Sequence, residues 1–133
     1  MIIEKTDTGF SAYSVDYPIY TTGKSVADLI NNAYEAANLY YEDQEINIAH
    51  ENLKFELDFR QFFQYYKVIN SKLLADRIGM NATLLSQYVT GHKKPSETQT
   101  EKILRGIHQI GLELAEISLI YKQKPTPGSK CSK

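Results

Sequence analysis

Apolar positions recur at two different periods along the chain. The opening segment MIIEKTDTGFSAYSVDYPIYTTG holds short β-prone runs rich in Ile, Tyr, Val and Thr. Thr6-Asp7-Thr8-Gly9 interrupts them with turn chemistry, so a hairpin is predicted. Pro18 has no amide hydrogen and limits the second run, leaving residues 19–21 for a third short strand before Gly23. Ser25 with Asp28 three positions on forms a capping box with Asp in place of Glu. Val26, Leu29, Ile30, Ala33, Ala37, Tyr40 and Tyr41 then fall on one face, which predicts a helix over residues 25–42 packed on the sheet. Residues 43–52 show no clear period. In LKFELDF, Leu53, Phe55, Leu57 and Phe59 alternate with Lys54, Glu56 and Asp58, the period of a half-buried strand. The order expected up to residue 58 is β-β-β-α-β.

Beyond that point the period becomes helical. Phe62, Phe63, Tyr66 and Ile69 share one face of a short helix. Three further starts follow, at Asn70 or Ser71, at Asn81 and at Ser96, each with a side chain able to accept from the free N–H groups of a first turn. Gly79 and Gly91 stand where two of these helices must stop, and Pro95 precedes the last start. From Ile103 the positions Ile107, Ile110, Leu114, Ile117 and Tyr121 keep a four-three repeat, a narrow stripe suited to helix pairing. Gly106 and Gly111 weaken that helix and leave open a break within it. The tail KQKPTPGSKCSK offers nothing to bury and is expected to be disordered.

The fold class expected is α+β, with residues 1–58 as the mixed domain, 59–121 as an all-α domain and 122–133 as the tail. A chain of 133 residues, 42% apolar and 23% charged, has the composition of a folded domain or two small ones. No apolar run is long enough to cross a bilayer, and MIIEK opens on an acid instead of a basic leader region, so neither membrane spanning nor Sec export is expected. The single cysteine, Cys131, excludes an internal disulfide framework and a Cys-based zinc site, which suits a cytoplasmic location.

Net charge is only −1, but it is divided by sign. Residues 1–58 carry three basic side chains against eleven acids, a balance of −8, and residues 59–133 carry twelve against five, a balance of +7. Such a division points to two kinds of partner, with the basic half able to contact phosphate.

The most specific spacing is Ala75-x-x-x-Gly79-Met80-Asn81-x-x-x-Leu85-Ser86-x-Tyr88-x-x-Gly91, followed by the basic loop His92-Lys93-Lys94-Pro95. It resembles the helix-turn-helix of phage repressors. Small Ala75 lets two helices cross closely, Gly79 permits a left-handed turn, and Leu74, Ile78, Leu84, Leu85 and Tyr88 can form the shared core. The second helix of such a pair presents its N-terminal residues to base edges in the major groove while neighbouring ends grip phosphate. On that scheme Thr83 and Gln87, with Ser86, read bases and Ala82 touches a thymine methyl. Ser71, Lys72, Thr90, Lys93 and Lys94 are the phosphate candidates. A homodimer or higher homo-oligomer through Ile107, Ile110, Leu114 and Ile117 is expected, because one small module has too little contact area to specify a site. The bland alternative is a helical hairpin that only packs or dimerises.

GFSAYSVDYP, then Gly23-x-Ser25-x-x-Asp28-Leu29 and Asn32-Ala33-x-Glu35-Ala36 ending in Tyr40-Tyr41, resembles the HicB antitoxin family. Pro18-Ile19 stands where that family has Pro-Gly. The resemblance implies a partial, catalytically degenerate RNase H-like domain followed by a helix-turn-helix domain. It implies a type II antitoxin that blocks a small basic mRNA-cleaving toxin of the HicA type and represses its own operon by binding double-stranded operator DNA. No cofactor, metal or catalytic residue is expected. A free-standing transcriptional regulator, using the first domain to oligomerise or sense a ligand, is the alternative.

An enzyme is the rival from another class. RNase H chemistry needs clustered carboxylates around two divalent ions, and Glu4, Asp7, Asp16 and Asp28 invite comparison. Asp7 belongs to the turn and Asp28 to the helix cap, both ordinary structural uses, and no matching fourth carboxylate follows. His50, His92 and His108 are isolated, without ligand spacing. Of the ten tyrosines, Tyr34, Tyr40, Tyr41, Tyr65 and Tyr66 fall on helical segments, where core or interface roles are expected over stacking on single-stranded RNA.

Overall fold

A computed structural model describes residues 1–122. β1 (Ile2–Thr6) and β2 (Gly9–Tyr13) form the expected hairpin around Asp7-Thr8, and β3 (Tyr20–Gly23) pairs antiparallel with β2. Ile19 lies just before β3 instead of inside it, with its side chain buried. β4 (Glu56–Leu57) runs parallel to β1, with Ile2 opposite Glu56 and Ile3 opposite Leu57, completing the sheet order β3-β2-β1-β4.

Helix α1 (Val26–Tyr40) starts as the capping residues dictate: the Asp28 N–H donates to Ser25 Oγ at 3.1 Å, and the Asp28 carboxylate accepts from the Lys24 N–H at 3.0 Å. Leu29, Ala33 and Ala37, four residues apart, bury one stripe of α1 against β2 and β3. Of the other members of the expected apolar face, Val26 and Tyr40 are exposed and Tyr41 is half-buried. Two 3-10 turns (Glu42–Gln44 and His50–Asn52) lie at either end of the stretch without a period.

The alternating run 53–59 yields only two strand residues, and the correction has a local cause. The Asp58 side chain accepts from the Gln61 N–H at 3.0 Å, so Asp58 caps α2 (Phe59–Tyr65) and Phe59 opens a helix instead of closing a strand. Tyr66 is the C-cap of that helix and Ile69 lies beyond it, so α2 ends earlier than its apolar spacing suggested. Gln61 then takes over from β4 along the edge of β1. Its Oε1 accepts from the Lys5 N–H at 2.9 Å and its Nε2 donates to the Lys5 carbonyl at 2.7 Å, so one side-chain amide pairs with backbone as the next strand residue would.

Helices α3 (Ser71–Ile78), α4 (Ala82–Val89) and α5 (Glu97–Lys122) complete the chain. Phe59, Phe63, Leu74, Ala75, Met80, Leu85, Tyr88 and Ile103 form one buried cluster, with Leu57 of β4 packed against it. The expected core residues Leu74, Leu85 and Tyr88 are buried, whereas Ile78 and Leu84 lie at its margin. Thus α2 bonds to the sheet through Gln61 and fills the helical core through Phe59 and Phe63. Helix α5 runs unbroken through both glycines. A Cβ at position 106 would stand 2.3 Å from Ile78 Cγ2, so Gly106 marks the close approach of α5 to α3 and not a break. Lys122, assigned to the tail from sequence, is the last residue of α5. The expectation of disorder for the remainder of the tail, and Cys131, fall outside the described residues.

Candidate nucleic-acid interface

The pair α3 and α4 is built from short-range chemistry. The Asn70 side chain accepts from the Leu73 N–H at 3.1 Å and the Asn81 side chain from the Leu84 N–H at 3.0 Å, so each helix has its own cap. Between them Gly79 adopts φ 71°, and the Met80 N–H returns to the Ala75 carbonyl at 2.9 Å. Met80 is buried beneath the turn, and Lys102 Nζ of α5 donates to the Gly79 carbonyl at 3.2 Å from outside. Met80 stands within the helix-turn-helix spacing, whereas Lys102 lies 23 residues from Gly79 and belongs to no local signal, so sequence spacing did not reveal its support of the turn.

Leu85 and Tyr88 turn inward, so Ala82, Thr83 and Ser86 are left exposed and Gln87 half-buried on one outer face of α4. Ser71 is half-buried at the first position of α3, and Lys72 is exposed beside it. After α4 the chain turns at Gly91, with φ 81°, and the Lys93 N–H donates back to the Gln87 carbonyl at 3.1 Å, which anchors the basic loop to the same helix. Thr90 Oγ1 is 2.9 Å from the Ser86 carbonyl oxygen and 2.6 Å from His92 Nδ1. Lys93 is exposed, and Lys94 Nζ lies 3.0 Å from Glu56 Oε1.

The loop borders an open cleft of about 910 Å³ between β4 and the start of α5. Lys54, Arg60, Lys93 and Lys94 line it together with Glu56, Asp58, Glu97 and Glu101, so acids of the first half reach the basic loop of the second. Separating the chain into an acidic and a basic half concealed this juxtaposition.

The stripe along α5 is divided. Ile107 and Ile110 pack against the chain's own helical core, whereas Leu114 and Ile117 are 61% and 59% exposed. Leu112, Leu119, Ile120 and Tyr121 are exposed around them, so the last turns of α5 are apolar on more faces than the heptad stripe marks. Arg77 of α3 pairs with Glu113, which also accepts from Gln109 Nε2 at 3.3 Å. The Arg77 hydrogen bond, aided by that of Gln109, holds the Glu113 carboxyl below the usual carboxylate range.

In the first half, Glu4 lies in β1, Asp16 is exposed in the loop before Pro18, and Asp28 is at the helix cap. Asp7 accepts from the Tyr65 hydroxyl at 3.0 Å, and that bond, ahead of burial, pushes the Tyr65 phenol up. Among the described residues no three His, Cys, Asp or Glu side chains form a group able to hold a metal ion. None of Tyr34, Tyr40, Tyr41, Tyr65 and Tyr66 is fully buried, so of the expected core or interface roles the core one does not hold. Tyr40 and Tyr41 instead gather with Tyr17 near the surface, ring centroids 4.9–6.0 Å apart. Glu42 and Asp43 are exposed immediately after α1.

Among the described residues no helix is long and apolar enough to cross a membrane. A scan against protein-family models, a search of curated proteins and a search of solved structures each returned no match.

Proposed function

We propose that the chain is a DNA-binding antitoxin of the HicB type. In this reading residues 59–121 grip operator DNA as a helix-turn-helix domain, with α4 as recognition helix. Residues 1–58 are a partial RNase H-like domain that holds and blocks a small basic HicA-like toxin. The observation that carries the DNA reading is the α3–α4 pair itself: two capped helices, a left-handed glycine between them, and a face of short polar side chains left outside a sealed core. Ala82, Thr83, Ser86 and Gln87 occupy the N-terminal and central turns of α4, where a recognition helix meets base edges. Ser71 can donate a hydrogen bond to phosphate, and Lys72, Lys93 and Lys94 can neutralise it. The element order β1-β2-β3-α1-β4 supports the antitoxin reading, and the −8 balance of residues 1–58 suits steering toward a cationic partner.

The test uses the full chain. Selection from random duplexes at physiological salt is expected to enrich a near-palindrome with half-sites about 34–36 Å apart. Gln87→Ala is expected to weaken the enriched site by about 1–3 kcal/mol and leave random duplex binding unchanged. Enrichment of no sequence defeats the DNA reading. Coexpression with a small basic protein encoded beside the chain is expected to rescue growth; the absence of any such partner favours the free-standing regulator. Metal-dependent cleavage of RNA or DNA that Asp16→Asn abolishes would instead make the chain a nuclease.

A further inference from the structure

The hydrogen bonds at the end of α4 can be assigned by counting protons. Thr90 Oγ1 stands 2.9 Å from the Ser86 carbonyl oxygen and 3.4 Å from that of Gln87. A carbonyl oxygen only accepts, so the single hydroxyl proton of Thr90 is spent there. The 2.6 Å contact between Thr90 Oγ1 and His92 Nδ1 then takes its proton from the ring. Nδ1 carries the hydrogen and donates to Thr90. In a neutral imidazole the other nitrogen, Nε2, is consequently bare and can only accept.

Phosphate oxygens also only accept, so neutral His92 has nothing to give them. Protonated at Nε2, the same ring keeps its bond to Thr90 and gains both a donor and a charge. Resting on the DNA reading above, we infer that His92 is a phosphate contact that takes up one proton on binding, with Thr90 as its positioning residue. Thr90 thereby leaves the set of direct phosphate donors, because its proton is committed to the end of α4.

The charges around the loop are mixed. Thr90 caps α4, so the carbonyl end of that helix lies beside the imidazole. Lys93 and Lys94 follow in the same loop, Lys94 being paired with Glu56 of β4. From α2, Arg60 reaches the loop, its Cδ 3.6 Å from where a Cβ on Gly91 would stand. From α5, Glu97 and Glu101 line the cleft that Lys93 and Lys94 share. A phosphate beside Lys93 supplies the negative charge that shifts this mixture toward the imidazolium. The complex then holds one proton more than the neutral free chain, so affinity rises as pH falls and is lost on the alkaline side.

Two measurements on the full chain test this. Nitrogen NMR of the free protein at about pH 8 is expected to show His92 in the Nδ1–H tautomer, retained in Thr90→Ser and lost in Thr90→Val. Finding Nε2–H in the wild-type chain overturns the inference whatever the chain binds. Affinity for a random-sequence duplex of about 30 base pairs, at constant ionic strength, is expected to rise about three- to tenfold from about pH 8 to about pH 5.5. His92→Gln and Thr90→Val are expected to lose that rise and Thr90→Ser to keep it. An equal rise in His92→Gln, or none in wild type, overturns the inference while the DNA reading stands. Absence of duplex binding at every pH defeats the DNA reading itself and the inference with it.

Discussion

Lys94 Nζ, in the loop after α4, lies 3.0 Å from Glu56 Oε1 on β4, so the basic half of the chain meets the acidic half here through an exposed ion pair. Exposed pairs of this kind contribute about 0–1 kcal/mol to stability, so the pair matters less for folding than for what Lys94 can reach. A lysine held by a carboxylate is a poorer phosphate ligand, and the carboxylate itself repels the DNA backbone. Glu56→Gln is therefore expected to tighten binding to any duplex about two- to fivefold at low salt and to steepen the salt dependence by about one counterion. Lys94→Ala is expected to do the reverse on all sequences alike. Titrations of both variants across a salt series check this, and unchanged slopes in both would remove Lys94 from the phosphate contacts.

The two glycines of α5 are expected to respond to alanine with opposite signs. At Gly111 nothing stands within 4 Å of an added Cβ, so Gly111→Ala should stabilise the chain by about 0.5–1 kcal/mol through helix propensity. At Gly106 the added carbon would stand 2.3 Å from Ile78 Cγ2, and Gly106→Ala should cost about 1–3 kcal/mol as α5 is pushed off α3. Urea unfolding of the two variants measures the signs directly.

Glu113 ties α5 to α3, and its pH behaviour follows from its partner. Its carboxyl is held low chiefly by the hydrogen bond from Arg77, so the ionised form is favoured in the folded chain. A carboxyl depressed on folding stabilises at pH above the ordinary carboxylate range, and that contribution is lost as pH falls through the depressed folded value. In Arg77→Ala the Glu113 carboxyl is expected to titrate at higher pH, toward the ordinary range, in a carbon NMR titration. An unchanged midpoint would mean that Gln109 alone holds it.

Leu114 and Ile117 continue the stripe whose earlier members, Ile107 and Ile110, are already used by the helical core. The end of α5 from Leu112 to Tyr121, with this many exposed leucines and isoleucines, has little intrinsic stability in water, and pairing with a second copy would cover it. Sedimentation at tens of micromolar is expected to show a dimer or larger species for the wild-type chain. The double change Leu114→Glu and Ile117→Glu should give a monomer with the helical core intact. A wild-type monomer at that concentration would exclude the interface.

Much of the fold was legible because its signals are local. Ser25, Asn70, Asn81 and Ser96 each cap the helix they precede, the chemistry being complete within three residues. The same holds for the left-handed turn at Gly79 and for the outer face of α4, which follows from the spacing of Leu85 and Tyr88. Local signals also conflict, and the run 53–59 is the instance. Strand alternation and helix capping both fit Phe59, and the spacing of Asp58 to Gln61, a cap in its own right, was masked by the alternation.

By itself, then, the sequence determined where helices begin, which residues α4 leaves outside, and how charge divides along the chain. Tertiary structure alone decided that β4 stops at Leu57, that Gln61 pairs with Lys5 fifty-six residues away, and that α5 survives Gly106 because Ile78 occupies the space a Cβ would need. It also decided that the heptad stripe divides between core and surface, and that Lys94 faces Glu56. The physical reason is the range of the interactions. Caps, turns and periodicity act within one or two helical turns of the chain. Packing and ion pairing depend on which distant residues the completed fold brings within a few ångströms, and no window of sequence contains both partners.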